Sequence, residues 1–331
     1  MHPIEARDLT VVYRPGLLAK PVTGLDGLDL TVESGEVFGY IGANGTGKTT
    51  TIKTFLGLTR PTRGEALLFG VSSKEPDSRR DVGFLPEAPY FYEYLTGRET
   101  VTFYAQLSGI PSEERVTRTG EVLERVGLAG AADRQVKTYS RGMRQRLGLA
   151  QGIVHRPKLL ILDEPMSGLD PLGRRDVRLL IQEIAHGGAT VFFSSHILSD
   201  VEALCDRVGV VAGGKLVAVG SVEELARARV KTVELRCAGV SREELAPLGD
   251  AVLSVRADGD ILTFEVADES AADRAAKLVV ERGGSLRGLV PVTETLEEVF
   301  ARLQGASEEV HDAVAETADR HDLKATADER G

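Results

Sequence analysis

Residues 36–58 read "EVFGYIGANGTGKTTTIKTFLGL", and this stretch decides the fold. An apolar run, Val37 to Ile41, leads into a loop with glycine at 42, 45 and 47, and then the pattern switches to helical spacing. Gly42 to Thr49, "GANGTGKT", matches G-x-x-x-x-G-K-[ST], with a strand before it and a helix after it as the motif requires. Gly42, Gly45 and Gly47 let the backbone turn close to phosphate oxygens, and the free N–H groups of the helix start favour an anion. Lys48 would reach the β- and γ-phosphates of a nucleotide, and the Thr49 hydroxyl would bind Mg²⁺. Ala43, Asn44, Thr46 and Thr50 complete the candidate nucleotide contacts.

Farther along, "LLILDEP" (159–165) supplies a second half for such a site. Asp163 stands at the C-terminal end of an apolar strand, where open α/β sheets bind ligands, and is a candidate Mg²⁺ ligand. Glu164 beside it is costly to bury without a purpose, and a base that polarises water would supply one; a solvated acidic strand end is the plainer alternative. His196 closes the next strand in "FFSSH" (192–196), at the same sheet end, where it can meet a γ-phosphate or be purely structural. Upstream, "TYSRGMRQRLGLAQG" (138–152) starts a basic helix with a small turn. Ser140 there is either an ordinary N-cap or part of an anion site.

Around these motifs the chain has a readable order. Residues 4 to 70 give short strands interrupted by the helix "GKTTTIKTFLGL", and from about 97 to 155 apolar positions recur at helical spacing. Strand–helix alternation then resumes with continuous apolar strands, the pattern of a parallel sheet covered on both faces. Near Lys231 it changes to β-α-β-β-α-β plus one helix, "TLEEVFARLQG", the ferredoxin-like order. The fold class expected is α/β: a P-loop NTPase cassette with a mainly parallel sheet, an antiparallel β subdomain and a helical subdomain at about 86–155. A small ferredoxin-like α+β domain follows. The cassette is expected over 1–229, the accessory domain over 230–305 and an acidic tail over 306–331.

That tail carries eight acidic and three basic side chains and no aromatic, too little apolar surface to offset its ordering entropy, so it is expected to be disordered. The whole chain of 331 residues has net charge −10 and a pI near 5.3, which argues against duplex nucleic acid as the main ligand. Cys205 and Cys237 are the only cysteines and lack metal-type spacing, so neither a disulfide framework nor zinc is indicated. The start "MHPIEARDLT" has no apolar signal core, and no apolar run approaches the ~18 residues of a membrane span, so the chain is expected to be soluble by itself.

The glycine loop at 42–49, "YSRGM" at 139–143, "LLILDE" at 159–164, "SGLD" at 167–170 and "SSH" at 194–196, in that order, resemble the nucleotide-binding subunit of an ATP-binding cassette (ABC) transporter over residues 4 to about 228. The resemblance implies that ATP and Mg²⁺ are the cofactors. It also implies that the turn carrying Ser140 and Gly142 docks on the γ-phosphate held by a second subunit, with Asp170 contacting that subunit across the interface. Glu164 would be the catalytic base, His196 the γ-phosphate sensor, and Tyr13 an aromatic stacked on adenine, although a packed strand-end tyrosine reads the same in sequence. The partners implied are a second copy and a membrane permease, which would hold the protein peripherally on the cytoplasmic face of the cell membrane. The C-terminal appendix is similar to that of export-type subunits.

Two departures stand out. The usual Leu-Ser-Gly-Gly-Gln is here Tyr139-Ser140-Arg141-Gly142-Met143. Glu87, in "GFLPEAPYFYEYLTGRE", stands where a Gln is usual, which makes it a candidate Mg²⁺ ligand. A soluble cassette ATPase acting on ribosomes or nucleic acid is the rival class. Such proteins usually carry paired cassettes or long coiled coils, and neither occurs in this sequence.

Overall fold

The computed structural model describes residues 1–14, 16, 20–227, 230–293, 298–299 and 301–302. Two compact units emerge, Met1–Val222 and Glu223–Arg302. Most of the helix expected at "TLEEVFARLQG" and all of the 306–331 tail lie outside the described residues.

The first unit opens with strands β1 (Ile4–Tyr13), β2 (Val22–Val32) and β3 (Val37–Ile41), and helix α1 (Lys48–Phe55). Strands β4 (Arg63–Leu68), β5 (Val71–Ser72) and β6 (Val82–Leu85) come next, followed by helices α2 (Gly97–Leu107), α3 (Ser112–Arg125) and α4 (Arg141–Ile153). The chain continues through β7 (Leu159–Asp163), α5 (Pro171–His186), β8 (Thr190–Ser195), α6 (Leu198–Leu204), β9 (Arg207–Ala212), β10 (Lys215–Ser221) and α7 (Val222–Arg227). Two sheets result. One is antiparallel, in the order β2-β1-β4-β5; the other runs β10-β9-β3-β8-β7-β6, with only β10 antiparallel to its neighbour. β6, "VGFL", is a strand that the sequence does not announce: its four residues are too few to display a period.

The parallel sheet forms where its strands are apolar throughout. Every residue of β3, β7 and β8 is buried. Phe192 of β8 is the hub of the packing: its ring stacks on Phe38 at 5.8 Å and meets Phe55 of α1 edge-on at 5.6 Å. Burial of such a ring contributes about 3 kcal/mol, so α1 is pinned to the sheet just behind the glycine loop. The parallel pairing sets Asp163 of β7 opposite Ser194 of β8, and Ile41 of β3 opposite Ser195. All three strands therefore deliver their C-terminal ends to one edge.

The helical part begins with a capping box. The Thr96 hydroxyl accepts from Glu99 N–H at 3.1 Å, and the Glu99 carboxylate accepts from Thr96 N–H at 2.8 Å and from the Thr96 hydroxyl at 2.9 Å, which holds the carboxyl below its usual range. At the far end of α4, the buried Arg118 guanidinium donates to the carbonyls of Ile153 and Val154 at 2.8 Å, which satisfies a helix C-terminus.

The second unit holds β11 (Val230–Ala238), β12 (Val252–Asp258), β13 (Ile261–Val266), α8 (Glu269–Glu281) and β14 (Ser285–Thr293). Its antiparallel sheet has the order β12-β13-β11-β14, the ferredoxin-like arrangement. Alternate residues Val233, Leu235 and Cys237 of β11 face α8 with Phe264 of β13. The first helix of the expected β-α-β-β-α-β order is instead a 3₁₀ segment, Glu243–Ala251, because Pro247 removes a donor inside it and Gly249 adopts a non-helical φ of 53°.

Candidate active site

The loop between β3 and α1 is built for close approach. Gly47 has φ 108° and a Cβ there would press on the Gly24 carbonyl, while a Cβ on Gly42 would collide with the Thr46 hydroxyl and Val211. Thr46 Oγ closes the loop onto the Ala43 carbonyl at 2.9 Å. Lys48, only 6 % exposed, folds back over it and donates to the Gly42 carbonyl at 2.7 Å and the Ala43 carbonyl at 3.1 Å. Its Nζ also lies 3.4 Å from Glu164 Oε1.

Asp163 and Glu164 approach from the end of β7. Thr49 Oγ donates to Asp163 Oδ2 at 3.1 Å, so the two candidate metal ligands already face one another. Glu164 is buried, and its backbone sits in the left-handed region at φ 49°, a strained setting for a residue with a Cβ. Its Oε2 is 2.8 Å from His196 Nδ1, while Oε1 is buried with no hydrogen-bond partner apart from the approach of the Lys48 ammonium.

Ser194 belongs to this group, although the sequence does not single it out. Fully buried, it donates to Asp163 Oδ1 at 2.7 Å and accepts from Glu164 N–H at 3.0 Å, so one hydroxyl fixes both acids. Its place two residues before His196 was the only signal available; the partnership depends on the β7–β8 register.

A cleft of about 590 Å³ gathers most of the candidates: Asn44, Gly45, Gly47, Lys48, Thr49 and Thr50 of the glycine loop and α1 line it together with Glu87, Glu164 and His196. Tyr13 lies at the rim, half-exposed, with its hydroxyl 3.2 Å from Thr50 Oγ. Ser140, Gly142 and Asp170 do not line this cleft. Ser140 caps α4, its Oγ accepting from Met143 N–H at 3.3 Å, and Asp170 caps α5, accepting from Gly173 N–H at 2.7 Å. Within one chain the ordinary-cap reading of Ser140 is thus what is seen.

A model of the ABC transporter family matches residues 25–167. Bacitracin transport ATP-binding protein BcrA of Bacillus licheniformis is 35% identical over 314 residues, covering 91% of this chain and 97% of its own length. The ABC transporter ATP-binding protein YdbJ of Bacillus subtilis is 38% identical, with 88% and 98% covered. Among solved structures, an ATP-binding subunit of an ABC transporter superposes with TM-score 0.62 at 30% identity, covering 68% of this chain and 92% of that one. The dimeric cassette MJ0796 bound to ADP and Pi gives TM-score 0.61 at 23% identity, over 66% of this chain and 98% of that one, a likeness of fold. The chain belongs to the ATP-binding subunit family of ABC transporters.

Proposed function

We propose that this member of the ABC transporter ATP-binding family hydrolyses ATP with Mg²⁺, in a head-to-tail dimer that drives a separate membrane permease in the export direction. The observation that carries the hydrolytic reading is Glu164: buried, with one oxygen on His196 Nδ1 and the other lacking a hydrogen-bond donor, at the edge of the glycine-loop cleft. In this reading the loop and Lys48 hold the phosphates, and Glu164 takes the proton of the attacking water. His196 keeps the carboxylate in place, and Tyr13 stacks on the adenine.

The residues fit a magnesium ion. Among the described residues no cluster of three or more His, Cys, Asp or Glu forms a protein-only cage, and Mg²⁺ is ordinarily held by one or two carboxylates together with substrate phosphates. Thr49 and Asp163, in contact at 3.1 Å, would hold it, with Glu87 among the residues that line the cleft beside Thr49. When bound, the ion offsets the charge that develops on the phosphates.

The dimer is supported by what the cleft lacks: Ser140, Gly142 and Asp170 stand away from it and would complete the site of a second copy. A permease is supported by the exposed aromatic cluster Tyr92, Tyr94 and Phe103, with ring separations of 5.8 and 6.2 Å, an apolar surface of the kind that proteins bury against one another. No helix among the described residues is long and apolar enough to cross a membrane, so attachment to the cytoplasmic face would come through that partner. Export is supported by the ferredoxin-like appendix and by likeness to a bacitracin transport subunit over nearly the whole chain. The test is Glu164→Gln: ATP binding persists, phosphate release falls at least about 10²-fold, and gel filtration shows an ATP-dependent dimer. Turnover near the wild-type rate overturns the base assignment.

A further inference from the structure

The segment after Glu164 is held by α4. Gln145 Nε2, buried, donates to the Pro165 carbonyl at 3.0 Å, and Leu169 packs 3.4 Å from where a Cβ on Gly142 would stand. Arg141 makes the third contact. Its Nη2 lies 3.4 Å from Ser167 Oγ, and its guanidinium lies so close over Gly168 that a Cβ there would overlap it. Gly168 also has φ +69°, so the chain is bare where Arg141 crosses it. Ser167 in turn donates its N–H to the Glu164 carbonyl at 3.0 Å and lines the nucleotide cleft. Two hydrogen bonds therefore lead from Arg141 to the backbone of Glu164. The family's usual Gly at this position has no side chain with which to make the first.

We propose that Arg141 is a positioning residue: its guanidinium straps Ser167 and Gly168 to the start of α4, so that a phosphate seated at the Ser140 turn acts on the alignment of Glu164. This rests on the reading of Glu164 as base and of the Ser140 turn as the site for a second copy's ATP. The strain at Glu164 gives the strap its purpose, because a φ of 49° persists only when the surrounding contacts over-determine it. Arg141 is exposed, so its removal leaves the core intact.

The test is steady-state phosphate release by the full-length chain carrying Arg141→Ala, Ser167→Ala or both. Arg141→Ala should lower kcat about fivefold, the size of one hydrogen bond, with KM for ATP within about twofold. The double variant should be no slower than Arg141→Ala alone, because both changes cut the same link. Additive losses, or an unchanged kcat in Arg141→Ala, overturn the strap. A raised KM, with loss of the ATP-dependent dimer when Arg141→Ala is combined with Glu164→Gln, also overturns it and puts Arg141 on the second copy's phosphate. Turnover surviving in Glu164→Gln alone overturns the base assignment and the strap with it. Its loss there together with additive Arg141 and Ser167 effects overturns only the strap.

Discussion

In the unit Met1–Val222 the buried side chains include Lys48, Asp163, Glu164, Arg118, Glu36 and Asp200; in Glu223–Arg302 every buried side chain among the described residues is apolar. Both units alternate strands with helices, yet only the first meets the expense of burying charge. Burial pushes the Glu36 and Asp200 carboxyls up and the Arg118 guanidinium down, the direction expected when the charged form is disfavoured. Some of these charges have structural uses, Arg118 at the end of α4 and Glu36 beside Arg207 at 3.2 Å. In the densest group Lys48 and Glu164 line the cleft, and Asp163 and Ser194 stand behind them, bonded to Thr49 and Glu164. Three of the six buried charged side chains, Lys48, Asp163 and Glu164, thus gather at one place, whereas the second unit buries none among its described residues.

The largest blow to that contrast would be Lys48→Met. Removing the cation leaves Glu164 Oε1 buried without its neighbour, so the nucleotide-free protein should lose about 3–5 kcal/mol in denaturant unfolding and retain no ATP binding. Adding Glu164→Gln should recover part of that stability; an equal loss in the double variant would show that the pair is not coupled.

Phe264→Ala makes the complementary cut in the second unit. Deleting this fully buried ring should cost that unit about 3–5 kcal/mol, seen by calorimetry as an early transition, while ATP affinity stays at its wild-type value. A parallel fall in affinity would break the division of labour.

A smaller effect is expected from Ser194→Ala. It strips hydrogen bonds from Asp163 Oδ1 and Glu164 N–H, so about 1–3 kcal/mol should be lost from unfolding, together with a drop in kcat. An unchanged kcat would confine Ser194 to a structural role.

Least is expected of Glu87→Gln, since Glu87 is exposed at the rim. A carboxylate is a stronger hard-cation ligand than an amide, and its repulsion of phosphate is offset by an intervening divalent ion. The Mg²⁺ concentration for half-maximal ATPase should rise severalfold, with metal-free ATP binding unaltered. Superimposable titrations would exclude Glu87 as a ligand.

What could be read in the sequence follows from how local each signal is. The glycine loop declares itself because its backbone angles demand glycine at 45 and 47, and the ferredoxin-like order because its strands and one of its helices alternate cleanly. Strand β6 was too short to show a period, and Pro247 with Gly249 tightened an expected helix to 3₁₀. At the site, Lys48, Asp163, Glu164 and His196 were found by residue type and place along the chain. The contacts of Ser194 and Arg141 are not legible there, because each depends on a partner distant in sequence, across a strand pairing or in the turn after β7.

One consequence of the backbone at Glu164 concerns how such a sequence drifts. A side-chain-bearing residue in the left-handed region costs about 1 kcal/mol, whereas glycine occupies it freely. A sequence that drifted to glycine at 164 would relieve that strain but leave the Lys48 ammonium buried without its carboxylate, so the exchange would be a net loss. The bent backbone at 164 is thus tied to the side chain it carries, which His196 and Lys48 hold from two sides, and drift at any one of the three positions is constrained by the other two.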